Sequence, residues 1–152
     1  MLKTGITHPE ILEALGSAGH LSKVLISDGN FPHRTVPGKN CKFVYANFMP
    51  GVLDATTILR GIASVIPIET VHVMAPETEG AYAMDHDPPI WESYRKVLAE
   101  DSDFDGELTA VTKPECNDLC RDDHVCLCIA TGEQGLFANI LLTIGVVKPD
   151  KG

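Results

Sequence analysis

The stretch GHLSKVLISDGNFPHR, residues 19–34, places a histidine before an apolar run and an aspartate at its end. His20, beside a helix-ending Gly19, would feel the negative end of a helix dipole, which favours the imidazolium form. Histidine is the natural proton donor or acceptor near neutral pH, although a lone histidine is more often structural. Asp28 can accept two hydrogen bonds from vicinal hydroxyls, but an Asp-Gly pair at a strand end is frequently just a turn. A third element, TGEQGLFANILLTIGV at 131–146, carries Gly132 and Gly135, where backbone can approach a ligand closely. It also carries Asn139, whose amide both donates and accepts. On spacing alone it reads as a connection between two core strands.

Other constellations yield less. Cys116 and Cys120 have a spacing used by zinc ligands, with His124 nearby. Cys126 and Cys128, at i and i+2 on an expected strand, would point the same way inside a buried run. Free cysteine commonly behaves as a small core hydrophobe, and that reading is favoured over zinc. Asp85-His86-Asp87, leading into Pro88-Pro89, reads as a solvated loop. No G-x-S-x-G elbow, phosphate loop or G-x-G-x-x-G is present, which argues against phosphate cradling and most nucleotide chemistry.

Composition narrows the classes further. The 152 residues, 44% hydrophobic, are most simply one domain, 1–152, with ample material for a core. A net charge of −9 opposes nucleic acid and anionic membranes, and the twelve Lys and Arg form no basic stripe. No apolar run approaches the ~20 residues that span a bilayer, and Met1-Leu2-Lys3-Thr4 does not begin a signal peptide. Five cysteines, an odd number, argue against a secreted disulfide scaffold. The expected location is the cytoplasm.

The elements that would position these residues alternate in type. Thr7-His8-Pro9-Glu10 reads as a capping box before a helix with Ile11, Leu12, Leu15 and Ala18, stopped by Gly19. Strands are expected at Lys23 to Ser27, Lys42 to Ala46, Thr70 to Met74, Leu108 to Thr112, Val125 to Ala130 and Ile140 to Ile144. Helices are expected from Leu53 to Val65 and from Ile90 to Leu98, with a short helix or turn at Glu115 to Asp122. The alternation implies α/β layering around a largely parallel sheet. In such sheets ligands gather outside the carboxyl ends of the strands, where Asp28 and Thr131-Gly132-Glu133 would lie.

Taken in order, Gly19-His20, Ser27-Asp28, Thr131-Gly132-Glu133 and Phe137-Ala138-Asn139 followed by ILLTIGV resemble the D-ribose pyranase and L-fucose mutarotase family. Phe31-Pro32 and PPIWESYRKVLAE look more like the fucose branch. The resemblance implies a three-layer α/β/α, Rossmann-like domain with a mostly parallel, mixed sheet, assembling into a ring-shaped oligomer, commonly a decamer with sites where subunits meet. It implies a cofactor-free, metal-free isomerase that interconverts α and β anomers of a reducing monosaccharide, L-fucose or a relative. D-ribose pyranase activity and a non-catalytic sugar-binding role are the alternatives. It makes His20 the proton donor and Asp28, Phe137, Ala138 and Asn139 sugar contacts. Phe137 stands where the family usually has tyrosine. The family's basic contact falls on Glu115 by gapless counting, with Lys113 two residues away.

A strand of about five residues separates its ends by ~16 Å. His20 and Asp28 therefore cannot serve one small sugar by flanking a straight strand. Either Leu21 to Lys23 folds back, or neighbouring subunits complete each other's sites, and the second is the reading adopted.

Overall fold

The computed structural model describes residues 1–149; residues 150–152, the end of the expected 1–152 domain, lie outside the described residues. In chain order the elements are α1 (Pro9–Ser17), β1 (Lys23–Ser27), β2 (Lys42–Tyr45), α2 (Ala55–Ala63), β3 (Ile68–Met74), α3 (Ile90–Asp101), β4 (Leu108–Val111), α4 (Lys113–Arg121), β5 (Val125–Ala130) and β6 (Ile140–Ile144). The strands form one sheet in the order β2-β5-β1-β6-β3-β4. β2, β5 and β1 pair in parallel, as do β3 and β4, while β6 runs antiparallel to both β1 and β3. The order differs from that of the dinucleotide-binding sheet, so the likeness to that fold is one of layering.

The layers are unequal. On one face, buried side chains of α1, α2 and α3 pack against Val24, Ile26, Val71, Val73, Leu127, Ile129, Ile140 and Leu142. On the other, α4 supplies Cys116 and Cys120 against Leu25, Cys128, Leu141 and Met74, with Phe31 and Val36 from the loop after β1. Both faces being covered explains why β1 and β6 read as unbroken apolar runs. No helix among the described residues is long and apolar enough to cross a membrane.

Four local expectations are corrected. The N-cap of α1 is His8, without a side-chain cap bond, so Thr7-His8-Pro9-Glu10 is no capping box; α1 ends on an extended Ala18, and the left-handed residue nearby is Leu21, φ 68°, not Gly19. The capping box belongs to α4, where Thr112 and Glu115 bond reciprocally and start the helix at Lys113, ahead of the expected Glu115. Finally, Cys126 and Cys128 do not share a face. The β1/β5 register jumps from Lys23↔Val125 to Val24↔Leu127, a bulge that turns Cys126 toward the three-helix side and leaves Cys128 on the α4 side.

Candidate functional site

Because β1, β5, β3 and β4 point the same way, their carboxyl ends meet on one side of the sheet, where β6 begins. The loops leaving these strands enclose a cavity of about 390 Å³. Its polar lining is Asp28, Asn30, Glu77, Lys113, Asn117 and Asn139; its apolar lining is Phe31, Pro32, Met74, Leu136 and Phe137, with Tyr82 at its side.

Asp28 is 3% exposed. Its Oδ1 accepts from the Asn30 backbone N–H at 2.9 Å and its Oδ2 from Asn139 Nδ2 at 3.0 Å, while its own N–H donates to Asn139 Oδ1 at 2.9 Å. Burial pushes this carboxyl above its usual range, opposed by backbone N–H groups of Asn30, Ala138 and Phe31. Asn139 thus holds Asp28 from both sides. Of the amide groups expected to meet a ligand, its oxygen and one N–H are given to that aspartate, leaving one N–H for the cavity.

Phe137 adopts φ 55°, a left-handed conformation rare for a bulky residue, which turns its ring into the cavity wall. Ala138 is fully buried and is not part of that wall; its carbonyl accepts the hydroxyl of Tyr94 from α3. Burial holds the Tyr94 phenol far above its usual range, with Glu133, Asp28 and Asp54 adding to it, so the group stays a donor. Tyr94→Phe would strand a buried carbonyl, at a cost of about 1–3 kcal/mol. The expected result is a lower urea midpoint together with a raised KM, because the Phe137 backbone loses its anchor.

Lys113, the first residue of α4, lines the cavity and pairs through Nζ with Glu77 Oε1 at 3.0 Å. Glu115 is committed elsewhere: its Oε2 accepts from Thr112 N at 2.8 Å and Thr112 Oγ1 at 2.7 Å, and it borders a different cavity beside His72. Of these two sequence candidates, only Lys113 faces Asp28's cavity.

Gly132 also departs from expectation. A Cβ there would lie 2.5 Å from the carbonyl oxygens of Met49 and Val52, so the close approach is to the chain's own 47–53 segment. That segment is tied down by Gly132 N to Leu53 O and Gly51 N to Gly132 O, each 2.6 Å. Glu133 closes the following turn, its Oε1 accepting from Gln134 N at 2.9 Å and Gly135 N at 2.8 Å.

His20 lies at the opposite end of β1. Leu21 N bonds Ile144 O at 3.0 Å, where β6 ends. The intervening five-residue strand keeps His20 away from Asp28 by roughly 16 Å, and no fold-back of 21–23 closes that gap. There His20 Nε2 meets Glu69 Oε2 at 2.7 Å, both side chains about half exposed. Glu69 escapes sequence reading because strand alternation makes it one more solvated residue of β3. The β3/β6 register skips from Ile68↔Ile144 to Thr70↔Thr143, and this irregularity leaves Glu69 free to reach His20. Glu77 and Asn117 carry no sequence signal either, one lying in an acidic loop and one on a short helix.

Comparison with known proteins fits this arrangement. The chain is 26% identical to a fucose mutarotase from Danio rerio, over 94% of this chain and 91% of that protein. It is 26% identical to a D-ribose pyranase from Clostridium botulinum, over 97% and 99% of the two chains. The fold superposes with a TM-score of 0.80 on the fucose mutarotase of Streptococcus pneumoniae solved in complex with L-fucose, at 21% identity, covering 97% of this chain and 100% of that one. A profile of the RbsD / FucU transport protein family matches residues 1–147, and the chain belongs to that family.

Proposed function

We infer that this chain is a sugar mutarotase that interconverts the α and β anomers of a reducing pyranose, L-fucose or a close relative. The observation that carries the reading is the buried Asp28–Asn139 pair in the lining of a cavity that combines polar side chains with apolar ones such as Phe31 and Phe137, which suits a sugar's hydroxyls and its C–H face. Relatives named for fucose and ribose isomerisation support it.

Mutarotation breaks the bond between the anomeric carbon and the ring oxygen. A proton leaves the anomeric hydroxyl as one is delivered to the ring oxygen, and closure on the other face reverses both transfers. The carboxylate of Glu69 accepts from His20 Nε2–H and leaves Nδ1 to take the proton of the anomeric hydroxyl and then, as the donor, to give it to the ring oxygen. Asp28 accepts sugar hydroxyls, Lys113 provides a charged donor, and Phe137 offers a flat apolar face.

Within one chain His20 and Asp28 occupy opposite ends of the sheet, so the reading includes a second copy that brings its His20–Glu69 pair to this chain's cavity. Such a head-to-tail contact uses two different surfaces and closes into a ring, for which a decamer is the expectation. Phe48, 83% exposed, with Met49, Val52 and Leu53 on the anchored segment beside Gly132, supplies an apolar contact surface at the Asp28 end. Five free cysteines support a reducing location, the cytoplasm.

NMR saturation transfer between α and β signals tests the activity on L-fucose, D-ribose, D-galactose and D-glucose with catalytic protein. Accelerated exchange is expected, greatest for L-fucose; binding without acceleration for any of the four would leave only a sugar-binding protein.

A further inference from the structure

Among the described residues that line the cavity, Lys113 carries the one positive charge, and Glu77 and Asp28 carry two negative ones. Lys113 opens α4, whereas Glu77 belongs to the loop after β3, so their 3.0 Å pair closes the cavity from two separate elements. The backbone of Glu77 is itself held, its carbonyl accepting from Met84 N at 2.9 Å where the loop doubles back through Gly80 at φ 100°. We propose that Glu77 is a specificity-determining residue that makes this cavity select uncharged sugars, by occupying the ammonium of Lys113 and adding its own negative charge.

The inference rests on the mutarotase reading above and concerns which sugars that site admits. A neutral sugar can give a hydroxyl proton to Glu77, or accept one from Lys113, without separating the pair. A sugar bearing a carboxylate has to share the Lys113 ammonium with Glu77 or displace it, and either way its negative charge lies beside those of Glu77 and Asp28. Nothing is gained in the exchange, and two like charges are brought together. In a Glu77→Gln variant the ammonium would be free, and the anionic ligand would find a partner that the neutral one does not need. The side chains of Lys113 and Glu77 are 53% and 37% exposed, so solvent screens the effect to about a fivefold preference.

L-Galactose and L-galacturonate test this, since both share the stereocentres of L-fucose and differ from each other only at C6. Exchange by NMR and dissociation constants by calorimetry are measured for wild type, Glu77→Gln and Glu77→Gln with Lys113→Gln. Glu77→Gln is expected to shift the ratio of affinities about fivefold toward the uronate, with the gain shrinking as ionic strength rises from ~0.01 to ~1 M. The added Lys113→Gln should cancel it. If Glu77 were merely a fastening for its loop, both sugars would weaken alike and the ratio would stay put, which overturns the proposal. Absence of catalysed exchange in the wild-type protein would instead count against the mutarotase reading, while the affinity ratio still decides the role of Glu77.

Discussion

A one-to-one mixture of two inactive variants, His20→Ala and Asp28→Asn, unfolded and reassembled together, is expected to regain about a quarter of the wild-type exchange rate, as random pairing of chains in the proposed head-to-tail ring requires. Each variant alone should fall by about 10²–10⁴-fold, the usual contribution of a positioned acid–base group or its loss through misplaced substrate. The recovery follows from geometry: His20 sits where β6 ends and Asp28 where it begins. A site made from two chains is intact when its histidine comes from an Asp28→Asn chain and its aspartate from a His20→Ala chain. Half of the histidine ends and half of the aspartate ends qualify. If each chain housed a complete site, the reassembled mixture would stay as inactive as its parts. Exchange measured before and after co-refolding separates the two outcomes, because chains that have not traded partners serve as the control.

Gly132→Ala is expected to have the largest effect on the fold near the site. The added methyl would meet the Met49 and Val52 carbonyl oxygens at 2.5 Å and the Val52 carbonyl carbon at 2.7 Å, all backbone atoms that cannot swing aside. Relief requires the 47–53 segment to move, which breaks the two 2.6 Å bonds between Gly132 and that segment. Overpacking and two lost hydrogen bonds together cost about 3–5 kcal/mol. Urea unfolding should show that loss, and for the proposed ring the lost rigid presentation of Phe48 and Met49 should appear as dissociation in size-exclusion chromatography. A variant with an unchanged midpoint and the wild-type elution volume would mean that the segment yields more easily than its contacts indicate.

Much of this architecture is legible in the chain. β1, β5 and β6 match their expected limits because each is a short apolar run with polar residues or glycine beyond it, a local signal. α4 begins earlier than its sequence suggests because Thr112 and Glu115 look like ordinary polar residues until their reciprocal bonds are seen. Of the candidate site, His20, Asp28, Lys113, Phe137, Ala138 and Asn139 are reached through the family resemblance, whereas Glu69 and Glu77 carry no such signal. A carboxylate on a strand or in an acidic loop looks the same whether it meets solvent or a partner.

The sequence by itself determined the order of helices and strands, the apolar content of the two cores and the residue types available for proton transfer and hydroxyl binding. Tertiary structure decided which of them meet. It brought Asn139 to Asp28 across 111 positions and Lys113 to Glu77 across 36. It placed the β1/β5 and β3/β6 register shifts that separate Cys126 from Cys128 and turn Glu69 toward His20. It also set His20 and Asp28 at opposite ends of the sheet. Helix and strand preferences act over a few neighbours in the chain, whereas strand register and loop packing are fixed by contacts between distant segments, whose partners exist only once the sheet has formed.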